Sequence, residues 1–285
     1  MKHQTSNFDN SCVSTYAKGR KSDRLFVILP GPLARGDEQV EPIADTFKKY
    51  GDLLSISYSG HHWDMGAVAR EVANRIEERV ECSEVKTVTI VGLSLGAYVA
   101  LHVLQSMWVD LRRNVNLIVV DAPFGIDTLY RLKDAPFAKY VIRHAGYSWP
   151  IGPLICKMSQ VRPKVQNIAL PLDNSEGQEQ YIRNIRRQAD SNLKDHSWRL
   201  YMSQLAYMME NNPPVELLEK YGTVTVYISC ESRKNDTIVQ PTAYQRWKER
   251  YPNLHSYNVG TAHAAFLEDP EPWRYTFEMV ISKEL

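Results

Sequence analysis

The segment Gly92-Leu93-Ser94-Leu95-Gly96 places a hydroxyl nucleophile between two glycines, at the point where an apolar run meets an amphipathic stretch. A nucleophile on a very sharp strand-to-helix turn requires small residues two positions before and after it, because the backbones crowd there. The start of the helix also offers amide N–H groups to a developing oxyanion. The pattern predicts Ser94 as a nucleophile and the Leu95 amide as an oxyanion donor. A glycine-flanked turn without chemistry is the alternative.

A serine hydroxyl reacts poorly until a base takes its proton, so a histidine is needed. The chain has eight histidines, and only His255 and His263 follow the apolar run that ends near Ile228. His255 falls within a strand pattern and is interpreted as a packed strand residue. His263 directly follows that strand, where parallel sheets place their sites. His263 is therefore the predicted base.

Three acidic residues could orient that histidine. Asp236 lies in Asn235-Asp236-Thr237-Ile238-Val239, a few residues past an apolar run, and Asp121 ends the run Val119-Val120-Asp121. Glu231 is closer to its strand end and could instead brace the loop. A carboxylate holds the imidazole tautomer and stabilises the imidazolium as it forms. Asp236 is the favoured acid, and Asp121 is the alternative.

Strand and helical patterns alternate along much of the chain. The predicted strands are Leu25–Leu29, Leu53–Tyr58, Val85–Val91, Asn116–Val120, Val224–Ile228 and Leu254–Val259. The predicted helices are Asp37–Tyr50, Gly66–Cys82, Ser94–Met107 and Pro241–Tyr251, followed by a terminal helix through Met279. This alternation indicates an α/β fold with a mostly parallel central sheet flanked by helices.

The domain organisation follows from where this alternation stops. Residues 1–22 are polar and predict an N-terminal tail or an edge strand, and residues 23–122 and 223–285 form the predicted α/β core. Residues 123–222 are rich in arginine and aromatic residues and lack a convincing strand. A structureless loop of about a hundred residues is improbable, so this segment is interpreted as a helical cap or lid insertion.

The order Ser94, Asp236, His263 resembles that of the α/β-hydrolase superfamily. The segment from Gly260 to Glu271 is similar to the histidine loop and following helix of that family, and Asp236-Thr237-Ile238-Val239 is similar to its acid loop. The resemblance runs from about Arg24 to the C-terminus and implies a serine hydrolase with a helical cap after the sixth strand. A serine nucleophile argues against the dehalogenase and epoxide-hydrolase relatives, which use aspartate, and against the cysteine-using members.

One segment departs from the family pattern. The family usually has His-Gly after its first core strand, and the next residue donates the second oxyanion amide. Here the segment is Pro30-Gly31-Pro32-Leu33-Ala34, in which Pro32 has no N–H. Leu33 is the nearest candidate donor. Losing one donor can cost about 10²-fold or more in rate. This departure is the only feature that favours the alternative of a non-catalytic small-ligand binder, and the intact order of the triad argues against that alternative.

Aromatic and methionine residues of the insertion are candidates for a substrate pocket. Apolar residues at helical spacing most often form core packing. A lid with these side chains over a hydrolase site would nevertheless form an apolar acyl pocket. The predicted substrate-binding residues are Trp149, Trp198, Tyr201 and Met202.

Composition limits the class of protein. The 285 residues are 44% hydrophobic and 24% charged, as in an ordinary globular protein, and the net charge of +1 does not favour a nucleic-acid partner. No apolar run approaches the roughly 20 residues needed to span a bilayer, and the polar Met1–Asn10 is not a secretory signal. The cysteines are widely spaced, so free thiols and a cytoplasmic location are expected. No metal or organic cofactor is expected.

These patterns together predict a serine hydrolase that cleaves a carboxylic ester through an acyl-enzyme intermediate. Ser94 attacks the carbonyl, His263 takes and returns the proton, and Asp236 orients His263. A thioesterase or a C–C bond hydrolase would use the same residues, since pocket shape decides among these substrates. The expected partner is a small-molecule ester or acyl compound, and the oligomeric state stays open.

Overall fold

A central sheet with helices packed on both faces positions Ser94 and Asp121. The computed structural model describes residues 11–32, 34–60, 63–129, 140, 142, 198–230, 239–261, 266 and 269–285. The strands within them are β1 (Cys12–Ala17), β2 (Arg24–Leu29), β3 (Asp52–Tyr58), β4 (Thr87–Leu93), β5 (Val115–Val120), β6 (Val224–Ser229) and β7 (His255–Asn258). The α-helices within them are α1 (Gly36–Val40), α2 (Ala44–Tyr50), α3 (Met65–Glu81), α4 (Leu95–Ser106), α5 (Val109–Arg112), α6 (Trp198–Glu210), α7 (Glu216–Tyr221), α8 (Thr242–Arg250) and α9 (Pro270–Lys283).

The described strands form one sheet in the order β1-β3-β2-β4-β5-β6-β7. β1 is antiparallel to β3, and all other neighbours are parallel. The carboxyl ends of β2 to β7 therefore share one edge of the sheet, the usual place for a site in such folds. The predicted α/β fold with a mostly parallel sheet is confirmed.

The central strands contain continuous apolar segments because helices cover both faces of the sheet. In β2, Leu25, Val27 and Leu29 join one core cluster, which includes apolar side chains of α3 and α4. Phe26 and Ile28 face the other way and join a second cluster with side chains of α2 and α9. Both faces of a strand must be apolar when helices cover both sides of a parallel sheet.

The predicted helix Asp37–Tyr50 is interrupted in the structure. It consists of α1 and α2, separated by a 3₁₀ turn at Glu41–Ile43. Pro42 lies at the start of that turn, where its missing N–H and its steric demand on the preceding residue disfavour a continuous helix. Val40, Ile43 and Phe47 are nevertheless all buried.

α3 matches its prediction more closely. Asp64 caps it, because its carboxylate accepts a 2.9 Å hydrogen bond from the backbone amide of Ala67. Val68, Val72 and Ile76 are buried at four-residue intervals, as the amphipathic pattern predicts.

The termini and the insertion are described in part. β1 forms an antiparallel edge strand within the N-terminal segment that was predicted to be a tail or an edge strand. Much of the predicted cap, residues 123–222, lies outside the described residues, so its boundaries stay a prediction. Its described end contains α6 and α7. Among the described helices, none is long and apolar enough to cross a membrane.

Candidate active site

Ser94 lies on a sharp turn between β4 and α4. Its backbone has φ 53° and ψ −111°, a conformation that side-chain-bearing residues rarely adopt. The turn is fixed from the neighbouring strand, since the amide of Ser94 donates a 2.9 Å hydrogen bond to the carbonyl oxygen of Val120. Ser94 retains 8% of its surface exposed. Strained backbone of this kind is characteristic of functional sites.

The glycines around Ser94 are required by the packing of the turn. A β-carbon on Gly92 would lie 2.6 Å from the Cα of Ala97, and one on Gly96 would collide with the carbonyl oxygen of Leu29. Both obstacles are backbone atoms, so a side-chain rotation cannot relieve them. The turn therefore accepts only glycine at these two positions without distortion.

Leu95 is the first residue of α4. The first amide N–H groups of a helix have no acceptor within the helix, and they lie at the positive end of its dipole. The Leu95 amide directly follows Ser94 and is therefore a suitable donor to an oxyanion formed there.

The loop after β2 packs beside the nucleophile. A β-carbon on Gly31 would be in ordinary contact, 3.6 Å, with the Cβ of Ser94. The loop is held by the Tyr58 hydroxyl, which donates to the Pro30 carbonyl at 3.2 Å, and by Gln39, whose Oε1 accepts from the Gly31 amide at 3.3 Å. The Ala34 amide donates to the Gly31 carbonyl at 3.3 Å. Leu33, the predicted second oxyanion donor, lies outside the described residues.

Tyr58 is a reliable donor to this loop. Burial raises the pKa of the Tyr58 hydroxyl well above its usual value of 10.0, so it keeps its proton. Trp63 packs edge-on against the Tyr58 ring, with ring centroids 5.0 Å apart. The Trp63 amide in turn donates to the Ser203 hydroxyl of α6 at 3.1 Å. Tyr58 thus connects the loop to the described end of the predicted cap.

The structure brings Asp121 to the same edge of the sheet as Ser94. Asp121 directly follows β5, has φ 43° and is 2% exposed. Its Oδ1 accepts from the Cys230 amide at 2.9 Å, and its Oδ2 accepts from the Cys230 thiol at 3.0 Å. Sequence reasoning identified Asp121 but not Cys230.

The predicted base and acid, His263 and Asp236, lie outside the described residues, as does Glu231. The described flanks of their segments are well anchored. Before Asp236, Cys230 directly follows β6 and its amide donates to Asp121. After Asp236, the Gln240 amide donates to the Thr128 carbonyl at 2.8 Å. After His263, the fully buried Phe266 packs on Trp273, with ring centroids 4.6 Å apart. Both segments start from the edge where Ser94 lies.

His255 differs from its interpretation as a packed strand residue. It begins β7, but its side chain is 51% exposed, and its Nδ1 lies 2.8 Å from the Glu284 Oε2. Among the described strands, β7 lies at the edge of the sheet, and three of its four residues are exposed.

Two of the four predicted substrate-binding residues have described side chains. Tyr201 and Met202 lie on α6 and are 7% and 0% exposed, respectively, within the core cluster that also contains Leu95. Trp149 and the side chain of Trp198 lie outside the described residues.

A second contact joins α6 to the core. The Tyr207 hydroxyl lies 2.9 Å from the Nε2 of His102 on α4. Burial lowers the pKa of His102 below its usual value of 6.5, which favours the neutral ring that can pair with a hydroxyl. The sequence did not single out His102, because it precedes the apolar run that ends near Ile228.

Metal binding has no candidate in the described part of the chain. No group of three or more His, Cys, Asp or Glu side chains there is placed to hold an ion.

The comparison with protein families agrees with this arrangement. The profile of the Alpha/beta hydrolase family matches residues 26–273, and the chain belongs to this family. This confirms the resemblance stated from the three sequence segments. The comparison with curated proteins gave no significant match.

Several solved structures share the fold. The chain is similar to a thermophilic esterase from Thermogutta terrifontis, at 15% sequence identity and a TM-score of 0.68, with 95% of this chain and 93% of that chain covered. An esterase from Rhodococcus sp. ECU1013 has 16% identity and a TM-score of 0.67, with 96% and 95% covered. An N-formylmaleamic acid deformylase from Pseudomonas putida S16 has 15% identity and a TM-score of 0.58, with 93% and 94% covered. At these identities the likeness establishes the fold alone.

Proposed function

We propose that the protein is a serine hydrolase that cleaves a carboxylic ester with Ser94, His263 and Asp236. The observation that carries this proposal is the conformation of Ser94, which sits with φ 53° on a turn that two glycines alone make possible. A buried serine has no structural need for such a strained position. A nucleophile does, because the turn presents its hydroxyl beside the free amides of a helix.

The proposed reaction has two halves. Ser94 Oγ attacks the ester carbonyl while His263 takes its proton, and the Leu95 amide stabilises the oxyanion. His263 then protonates the departing alcohol, which leaves an acyl group on Ser94. Water attacks this acyl group with His263 again as base, and the acid is released. Asp236 keeps His263 in the required tautomer throughout.

Leu33 is proposed as the second oxyanion donor, because the other residues of its loop are less suitable. Pro30 and Pro32 have no amide N–H. The Gly31 amide donates to Gln39, and the Ala34 amide donates to the Gly31 carbonyl. Leu33 therefore supplies the remaining amide of a loop that packs against Ser94.

Asp236 is proposed as the acid in preference to Asp121. Both carboxylate oxygens of Asp121 already accept hydrogen bonds from Cys230. These bonds already engage the Asp121 carboxylate with the residue that follows β6. Asp236 lies in the segment that resembles the acid loop of the family.

The substrate class is proposed from the fold's neighbours and the predicted cap. Two of the similar structures are named as esterases. Trp149, Trp198, Tyr201 and Met202 are proposed to form an apolar acyl pocket. Thioesters and activated C–C bonds are the alternatives, and a cytoplasmic location stays a prediction based on composition.

Labelling with a fluorophosphonate probe tests the proposal, because the probe reacts with activated serines whatever the natural substrate is. Mass spectrometry of the wild type should locate the adduct on Ser94. Ser94→Ala and His263→Ala should abolish it. Ser106→Ala is the matched control, since Ser106 lies at the other end of α4 with its hydroxyl bonded to the His102 carbonyl, and it should label like the wild type. A folded wild type without an adduct would contradict the proposal.

Hydrolysis assays with simple esters and thioesters of different alkyl-chain lengths then test the substrate class. Hydrolysis of esters that disappears in Ser94→Ala is expected. Preference for thioesters would replace the ester assignment, and Ser94-labelled protein that hydrolyses neither class would contradict it.

A further inference from the structure

Asp121 occupies a special position in the sheet. The last backbone pair between β5 and β6 is Val120 with Ile228. The Asp121 amide continues the ladder by donating to the Ile228 carbonyl at 2.9 Å. In a parallel pair that continued one step further, the Cys230 amide would donate to the backbone carbonyl of Asp121.

The side chain of Asp121 takes the place of that carbonyl. The chain turns at Asp121 into the left-handed region, φ 43°, and the Cys230 amide instead donates to Oδ1. The Cys230 thiol donates to Oδ2 of the same carboxylate. The pairing of β5 and β6 is thus extended by one residue through a side chain.

This contact lies between two parts of the proposed site. On one side, the residue before Asp121 accepts the amide of Ser94. On the other side, Cys230 is the last described residue before the segment that holds Asp236. The residue after Asp121 is fixed as well, since the Ala122 carbonyl accepts from the Tyr227 hydroxyl at 2.8 Å and the Trp247 indole at 3.2 Å.

We infer that Asp121 is a positioning residue, which sets the start of the acid-bearing segment by holding Cys230 against the end of β5. Asp121 acts by accepting a hydrogen bond from the Cys230 amide, and its negative charge strengthens that bond. The inference rests on the proposed function, in which Asp236 orients His263. A displacement of about 1 Å at the reacting groups can cost about 10²-fold in rate, so this contact matters to turnover.

Asp121→Asn and Asp121→Ala separate positioning from direct catalysis. The asparagine variant keeps an oxygen that can accept the Cys230 amide, so it should retain kcat for a simple ester within about tenfold. The alanine variant removes the acceptor and should lower kcat about 10²-fold. Asp236→Asn should lower kcat about 10⁴-fold, as expected for the acid of a triad. Cys230→Ala keeps the amide bond and should stay within a few-fold of the wild type.

Alkylation of the cysteines gives a readout that does not depend on activity. In the wild type, iodoacetamide should modify the exposed Cys82 rapidly and the buried Cys12 and Cys230 slowly, as followed peptide by peptide. Asp121→Ala should speed the modification of Cys230 at least tenfold while that of Cys12 stays unchanged. Faster modification of both buried thiols would show general unfolding and overturn the inference of a local role.

Two further results would overturn the inference. If Asp121→Asn loses as much activity as Asp121→Ala while Asp236→Asn remains active, then Asp121 is the triad acid. If Asp121→Ala leaves both kcat and Cys230 protection as in the wild type, then the contact positions nothing. A wild type that fails to label at Ser94 contradicts the proposed function instead, and the alkylation experiment still decides the role of Asp121.

Discussion

Gly96 of α4 lies against the carbonyl oxygen of Leu29, the last residue of β2, so closely that a β-carbon on Gly96 would collide with it. This contact joins the first turn of the helix after Ser94 to the strand that precedes the Pro30–Ala34 loop. The nucleophile and the proposed oxyanion loop are therefore held at a fixed separation by backbone atoms.

Gly96→Ala is expected to destabilise the fold by about 3 kcal/mol or more, because the added methyl meets backbone that cannot move aside. Urea denaturation measures the change. Gly31→Ala is the matched control, since its β-carbon would have no neighbour nearer than 3.6 Å, and it should change stability by less than about 1 kcal/mol. Equal effects at the two glycines would refute the steric account of the turn.

Ser94→Gly and Ser94→Ala should both be inactive but should differ in stability. Alanine keeps the strained backbone at φ 53°, whereas glycine adopts positive φ without a steric penalty. Relief of strain outweighs the greater flexibility of unfolded glycine, so the glycine variant should be more stable than the alanine variant by about 1 kcal/mol. Chemical denaturation of the two proteins side by side makes the comparison. A less stable glycine variant would mean that the turn is not strained.

Tyr58→Phe should lower kcat for an ester by about 3- to 10-fold, the equivalent of one ordinary hydrogen bond. The variant loses the bond to the Pro30 carbonyl and so loosens the loop that carries Leu33. Tyr251→Phe is the control, because its hydroxyl also bonds a backbone carbonyl, that of Thr223, but at the opposite edge of the sheet. It should lose similar stability and keep kcat. A loss of kcat in both variants would point to a general effect of destabilisation.

His102→Gln should make stability less dependent on pH in the acidic range. The folded protein lowers the pKa of His102 below 6.5, so the unfolded chain binds a proton more readily. The wild type must therefore lose stability as the pH falls from about 6.5 through that lowered pKa, and this loss is absent without the imidazole. Free energies of unfolding measured from pH 7.5 to pH 5 test the difference. If the variant lost more stability than the wild type as the pH falls, this explanation would be wrong.

The strands were the elements that the sequence predicted best. β2, β3 and β5 each begin one residue before the predicted strand and end with it. These strands are largely apolar because helices cover both faces of the sheet. A largely apolar segment is therefore enough to identify each of them in the sequence. The break at Pro42 was missed because Val40, Ile43 and Phe47 are buried whether or not the helix continues.

The candidate site was predictable where its signal is local. Ser94 and Leu95 follow from five consecutive residues. The Tyr58 contact with Pro30 and the Asp121 contact with Cys230 join residues 28 and 109 positions apart. Such partners become visible only when the register of the sheet is known. The exposed position of His255 likewise depends on β7 being an edge strand.

The return of the chain from β5 to β6 has a consequence for how the protein folds. Val120 and Val224 flank about a hundred residues, yet their strands lie side by side. The entropic cost of closing a loop grows with the logarithm of its length. Doubling the length of the segment between β5 and β6 would cost only about 0.6 kcal/mol. A longer segment at this point would therefore cost little in loop-closure entropy. The kinetic effect is larger, because β5 stays an unpaired edge until the ribosome has delivered β6, and long-range strand pairing of this kind is slow and open to aggregation.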